Sequence, residues 1–181
     1  MIEDRAQLTR QIDAATDRLL ATITRLGEAD VSQPAPGCPG WSRGDLLTHV
    51  ARSADAMRNL LIWARTGVET PAYLSQSARE EEIHAGAQRS VSELLMDVRD
   101  SAAAFNAEVG RLPEKAWQVN VRVLNYPGFP AEGVLLRRLV ELELHHTDLG
   151  VGYGPADWPA EFATMELPEP MRSQREDRRK R

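Results

Sequence analysis

The chain carries one cysteine, Cys38, among 181 residues. No intramolecular disulfide can form, and a zinc knuckle built on cysteines is excluded. No apolar run approaches the ~20 residues that a membrane-spanning helix needs. The N-terminus, Met1-Ile2-Glu3-Asp4-Arg5, lacks a basic stretch leading into an apolar one. No export signal is visible there, and the expected compartment is the cytoplasm. Positive charge is in deficit: 22 basic against 27 acidic side chains give a net charge of −5. That balance argues against a general nucleic-acid binder. What is present suits one folded domain, with 42% hydrophobic and 27% charged residues.

The charge is unevenly placed. Six of the basic side chains crowd into Arg172–Arg181, beside Glu176 and Asp177 and almost nothing apolar. This composition predicts a charged, solvated, mobile tail over 172–181. A linker or short helix is expected over 153–171, and a helical bundle over 1–152.

Apolar residues recur at helical spacing in four long segments. The first spans about Glu3 to Leu26, with Leu8, Ile12, Ala15, Leu19, Ile23 and Leu26 as its stripe and Gly27 as its end. The second spans about Arg43 to Thr66. Ser42 and Asp45 form a capping box there, Trp41 precedes the cap, and Gly67 closes the helix. The third spans about Val91 to Val109 behind Ser90, and the fourth runs from after Pro130 to about Leu149. A shorter helix is expected at about Ser77 to Ala85. Val119 to Val123 alternates like a strand but has no evident partner. The fold class is therefore all-α, a four-helix bundle with long connections and a short extra helix. Connections longer than the usual 2–8 residues or so imply crossovers or loops that build a site.

Polar residues interrupt the stripes at informative places. His49 lies at the edge of the second helix's stripe, beside Ser53 and Leu60. Glu141 and His145 form an i,i+4 pair at one edge of the fourth helix, with Cβ atoms ~5–6 Å apart. That pair suits two ligands of one metal ion, with His49 as the natural third. Two imidazoles and one carboxylate leave a coordination position open, as catalytic zinc requires. Asp45 or Asp148 is placed to orient an imidazole from behind. The plain alternatives are a surface histidine and an exposed ion pair. His146 points into the stripe and reads as a core histidine. Glu81/His84 and Glu143/His146 have the Glu-x-x-His spacing of di-iron bundles, but the first pair sits in a short helix. Cys38 reads as an inert loop cysteine without a cationic partner. Arg79 stands among Glu80, Glu81 and Glu82, either as a surface charge or as a clamp for a carboxylate.

Taken in order, several stretches resemble one family. They are Pro39-Gly40-Trp41-Ser42-Arg43-Gly44-Asp45 running on to His49 and Arg52, then Arg65-Thr66-Gly67, and Ala78-Arg79-Glu80 running on to His84-Ala85-Gly86. Arg138 to Gly150 and Gly152-Tyr153 with Asp157-Trp158-Pro159 complete the set. Together they resemble the metal-binding domain of the mycothiol-dependent maleylpyruvate isomerase family, within the DinB-like superfamily of four-helix bundles. The resemblance implies zinc held by His49, Glu141 and His145, with Arg79 assisting at the substrate. It implies mycothiol as co-substrate, its thiolate adding to the double bond of maleylpyruvate, which rotates and is released as fumarylpyruvate. Related members transfer thiols. Two histidines and a carboxylate also suit Fe(II) or another divalent ion. The family's isomerase carries a further C-terminal domain that supplies an arginine, and only about thirty residues follow the fourth helix here. The expected function is thus a zinc- and mycothiol-dependent isomerase or S-transferase acting on a small electrophile. The rival expectation is a non-catalytic metal- or ligand-binding bundle.

Overall fold

Caps decide where the long helices begin. In the computed structural model, which describes residues 5–180, Ser42 Oγ accepts the Asp45 N–H at 3.0 Å and Asp45 Oδ2 accepts the Ser42 N–H at 2.8 Å. Gly67 ends the same helix at φ 75°, a left-handed conformation that glycine adopts without a Cβ clash. The element order is α1 (Arg5–Ile23), α2 (Glu28–Val31), α3 (Arg43–Thr66), α4 (Gln76–Gly86) and α5 (Val91–Val109). A 3₁₀ turn at Glu114–Gln118 follows, then β1 (Asn120–Val121), β2 (Phe129–Pro130), α6 (Gly133–Asp148), α7 (Ala160–Thr164) and α8 (Met171–Arg179).

Helices α1, α3, α5 and α6 form the bundle. Helix α3 packs on α5 and α6, while α1 packs on α6 and α5. Their facing stripes bury Ile12, Leu19, Leu46, Leu61, Leu94, Phe105 and Leu135 completely or nearly so. Each such aliphatic side chain stabilises the fold by roughly 1.5–3 kcal/mol relative to an exposed one. Among the described residues, no helix is long and apolar enough to cross a membrane.

Three local expectations are revised. The first helix stops at Ile23 rather than Leu26, and Glu3 lies outside the described residues. The N–H groups of Arg25 and Leu26 bond three residues back, to Thr22 and Ile23, because Gly27 opens the short helix α2. The strand-like run does find a partner: β1 pairs antiparallel with β2, Val121 opposite Phe129. The segment predicted to be a charged mobile tail instead forms α8 over Met171–Arg179, docked on α6. Met171 and Arg175 share its buried face. Arg175 donates to the Phe162 and Met165 carbonyls at 2.7 and 2.8 Å, and Arg178 reaches Asp148. Arginine stems cover apolar surface while their heads find acceptors, so a count of charges misjudged this stretch.

The C-terminus of α6 is held by the loop before α3. Gly37 N–H donates to the Asp148 carbonyl at 3.0 Å, and Arg43 Nε donates to the Leu149 carbonyl at 2.9 Å. These bonds satisfy carbonyls that a helix end leaves without partners, and Arg43 opposes the negative end of the helix dipole.

Candidate metal centre

The packing of α3 on α6 brings His49, Glu141 and His145 to one point. His49 Nε2 lies 3.0 Å from Glu141 Oε2 and 3.2 Å from His145 Nε2, and His145 Nε2 lies 3.4 Å from Glu141 Oε2. His49 is 5% exposed. Its ring meets His145 edge-on at a centroid distance of 4.8 Å, and the Trp41 ring packs against it at 5.3 Å. Trp41 reads from sequence only as the residue before a cap; its contact with His49 crosses from the loop to the helix interior.

This triangle fits a divalent ion. Zinc bonds of ~2.0–2.1 Å in tetrahedral geometry set neighbouring donors ~3.3 Å apart. His145 Nδ1 faces Asp148 Oδ2 at 3.0 Å and donates its proton there, so Nε2 is the nitrogen turned to the triangle, where an ion would take the place of a proton. Burial pushes the His145 ring down, but hydrogen bonds to Asp148, Cys38 and Glu141 outweigh it and hold the pKa well above its ordinary value. Burial pushes Glu141 up, yet the two imidazoles hold its carboxyl well below the usual range. Burial lowers the His49 pKa against the pull of Glu141.

Asp148, not Asp45, stands behind a candidate ligand. Asp45 caps α3 and pairs with His84 Nδ1 at 2.7 Å. Cys38 lies closer to the site than its loop suggested, with Sγ 3.7 Å from Asp148 Oδ2. Cys38, His145 and Asp148 form a second group of possible donors. Asp148 already accepts from both His145 and Arg178, which makes it a poor metal ligand.

Arg79 is turned away from its acidic neighbours. Its guanidinium is 3.1 Å from His49 Nδ1 and lies 5.6 Å from the Tyr73 ring and 5.9 Å from Trp41. Among the described residues no carboxylate pairs with it. Arg79, Arg137, His49 and Glu141 line a cavity of about 530 Å³, with walls from Met57, Leu60, Tyr73, Phe129 and Met171. Among the described residues, Glu141 is the one acidic residue on its lining. Tyr73 and Phe129 come from the long connections and Met171 from α8, so no helical period marks them in the sequence. Below the cavity Arg138, 0% exposed, donates to the Val50 carbonyl and to Ser53 Oγ, each at 3.0 Å.

The di-iron arrangement does not form. Glu143 accepts from Arg18 and from the Tyr153 hydroxyl, each at 2.5 Å, and His146 Nε2 pairs with Thr22 Oγ1 at 2.8 Å. His146 is a core histidine stacked on Tyr153. Burial, with Arg18 and Arg25 nearby, pushes its pKa from 6.5 down to about 4. Between those values an unfolded ring takes up a proton that the folded ring refuses. Stability therefore falls as pH drops from 6.5 to about 4, by on the order of 3 kcal/mol, and the ring contributes nothing to pH dependence above 6.5. Urea unfolding of wild type and His146→Gln across this window should show a shallower pH slope in the variant. Parallel slopes would remove His146 as the cause.

A family model described as the mycothiol maleylpyruvate isomerase N-terminal domain matches residues 12–150. Two solved structures are similar: a mycothiol-dependent maleylpyruvate isomerase and a histidine-to-alanine mutant of it. Each has a TM-score of 0.81 and 29% identity, covering 87% of this chain. The chain spans 65% of the length of those solved chains. No curated protein matches it in sequence.

Proposed function

The chain belongs to the mycothiol maleylpyruvate isomerase N-terminal domain family, and from that premise we propose that it is a zinc-dependent enzyme using mycothiol on a small anionic electrophile. The observation that carries this reading is the triangle of donor atoms, with sides of 3.0, 3.2 and 3.4 Å. His49, Glu141 and His145 would hold zinc, or Fe(II) in its place. When bound, the ion would stabilise a thiolate near neutral pH.

The remaining work falls to side chains. Asp148 keeps the His145 proton on Nδ1. Arg79 donates to His49 Nδ1, which keeps that ring's proton on Nε2. Ligation through Nε2 would move that proton to Nδ1, where a guanidinium finds no acceptor, so Arg79, which also lines the cavity, would be free to take a substrate carboxylate. The apolar wall of Met57, Leu60 and Phe129 limits water beside the reacting atoms. Arg79 and Arg137 on a lining with one acid favour an anion.

Metal analysis of the purified protein, with thiol consumption followed on maleylpyruvate and other electrophiles, tests the reading. Near-stoichiometric zinc and mycothiol-dependent turnover are expected. Zinc without thiol chemistry leaves a non-catalytic metal-binding bundle, and absence of any stoichiometric divalent ion defeats both readings. Arg79→Ala should raise KM for the anionic substrate by roughly 10–100-fold, the loss of a charge-assisted hydrogen bond, with metal content unchanged. Arg79→Lys should recover part of this, since an ammonium does not reproduce the fork. An unchanged KM in Arg79→Ala removes the residue from substrate binding.

A further inference from the structure

We propose that Arg178, on the C-terminal helix α8, is a positioning residue for the metal centre, acting on His145 through Asp148. The inference rests on the metal reading above. Asp148 is 1% exposed, and its carboxylate is shared among three stretches of chain. Its Oδ2 accepts from His145 Nδ1 at 3.0 Å and from an Arg178 terminal nitrogen at 2.6 Å. Its Oδ1 accepts from Arg178 Nε at 3.1 Å. Cys38 Sγ lies 3.7 Å from the same Oδ2.

Two parallel bonds from one guanidinium fix the plane of a carboxylate, which a single bond leaves free to rotate. With that plane fixed, Oδ2 has one direction in which to accept the imidazole N–H. The His145 ring then has one orientation, and its Nε2 points at His49 and Glu141. Arg178 also supplies the countercharge that a buried carboxylate requires. Its other terminal nitrogen donates to the Gln174 carbonyl at 3.0 Å, so the fork is itself braced by its own helix. Gln174 and Met171 on that helix line the cavity beside Glu141. Arg178 touches none of the reacting atoms; its effect runs through the angle and rigidity of one ligand. Groups behind a metal-binding histidine typically change metal affinity by ~10–100-fold when removed.

The test is titration of the metal-free full chain with Co(II), reading affinity by chelator competition and ligand geometry by the visible absorption of the bound ion. Arg178→Ala should weaken Co(II) binding about 10–100-fold and alter the spectrum. Arg178→Lys should fall between that variant and wild type, because one ammonium does not span both carboxylate oxygens. Arg179→Ala separates this effect from loss of helix docking. Arg179 binds the Ala163 carbonyl and lies over Trp158, without reaching Asp148. Arg179→Ala should bind Co(II) as wild type does. Wild-type affinity and spectrum in Arg178→Ala would overturn the proposal, as would an equal loss in Arg179→Ala. A wild-type chain that takes up no Co(II) would overturn the metal reading and this inference together.

Discussion

His49→Ala is expected to emerge from purification nearly free of metal. A four-ligand zinc site contributes ~10–16 kcal/mol, or roughly 2.5–4 kcal/mol per ligand if shared evenly. Loss of one ligand then lowers affinity by about two to three orders of magnitude. His49 is the candidate ligand on α3, while Glu141 and His145 both sit on α6. Its removal leaves an i,i+4 pair that holds an ion weakly. The substitution also removes a buried ring packed against Trp41, so melting of the metal-free protein has to accompany metal analysis. Glu141→Gln is the shape-preserving companion: it keeps side-chain volume and removes the anionic donor. Both variants should retain helical circular dichroism and lose zinc. Stoichiometric zinc in His49→Ala would refute the assignment of His49 as a ligand.

The second large effect is expected at a glycine. A Cβ on Gly37 would stand 2.1 Å from Asp148 Oδ1 and 2.4 Å from both the Cα and Cβ of Asp148. Two of those atoms are on or next to the α6 backbone, so no rotamer change relieves the contact. The loop must lift off the helix end, loosening the bond from Gly37 N–H to the Asp148 carbonyl. Forced overpacking of this kind costs about 1–3 kcal/mol, and more where backbone has to move. Gly37→Ala should therefore unfold at lower urea, and its Co(II) affinity should drop by tenfold or more because Asp148 also holds His145. A variant with wild-type stability would show that the loop gives way freely.

Much of the bundle is legible in the sequence because it rests on local signals. Ser42 with Asp45, and Ser90, mark helix starts through bonds that span only three residues, and the structure adds Glu93 as the reciprocal partner of Ser90. The convergence of His49 with Glu141 and His145 follows from helical period once α3 and α6 are taken to pack together. Other features depend on distant partners. The run at 119–123 finds its mate in Phe129-Pro130, a pair too short and too proline-bound to read as a strand. Helix α8 is invisible to composition because its arginines find carbonyls and a carboxylate on other elements. Gly37 looks like an ordinary loop glycine until α6 is placed against it. Tyr73 enters the cavity from a connection without period.

Arg138 gives the cavity floor a permanent bias. Burial lowers its pKa only to about 10, far above the range in which histidines change state. Its Nε and one terminal nitrogen have no protein partner among the described residues. A ligand seated against Ser53 thus rests above a cation that neither mild acid nor mild alkali can neutralise. Attraction for anions at that end of the cavity should persist through changes of acidity that would protonate an imidazole.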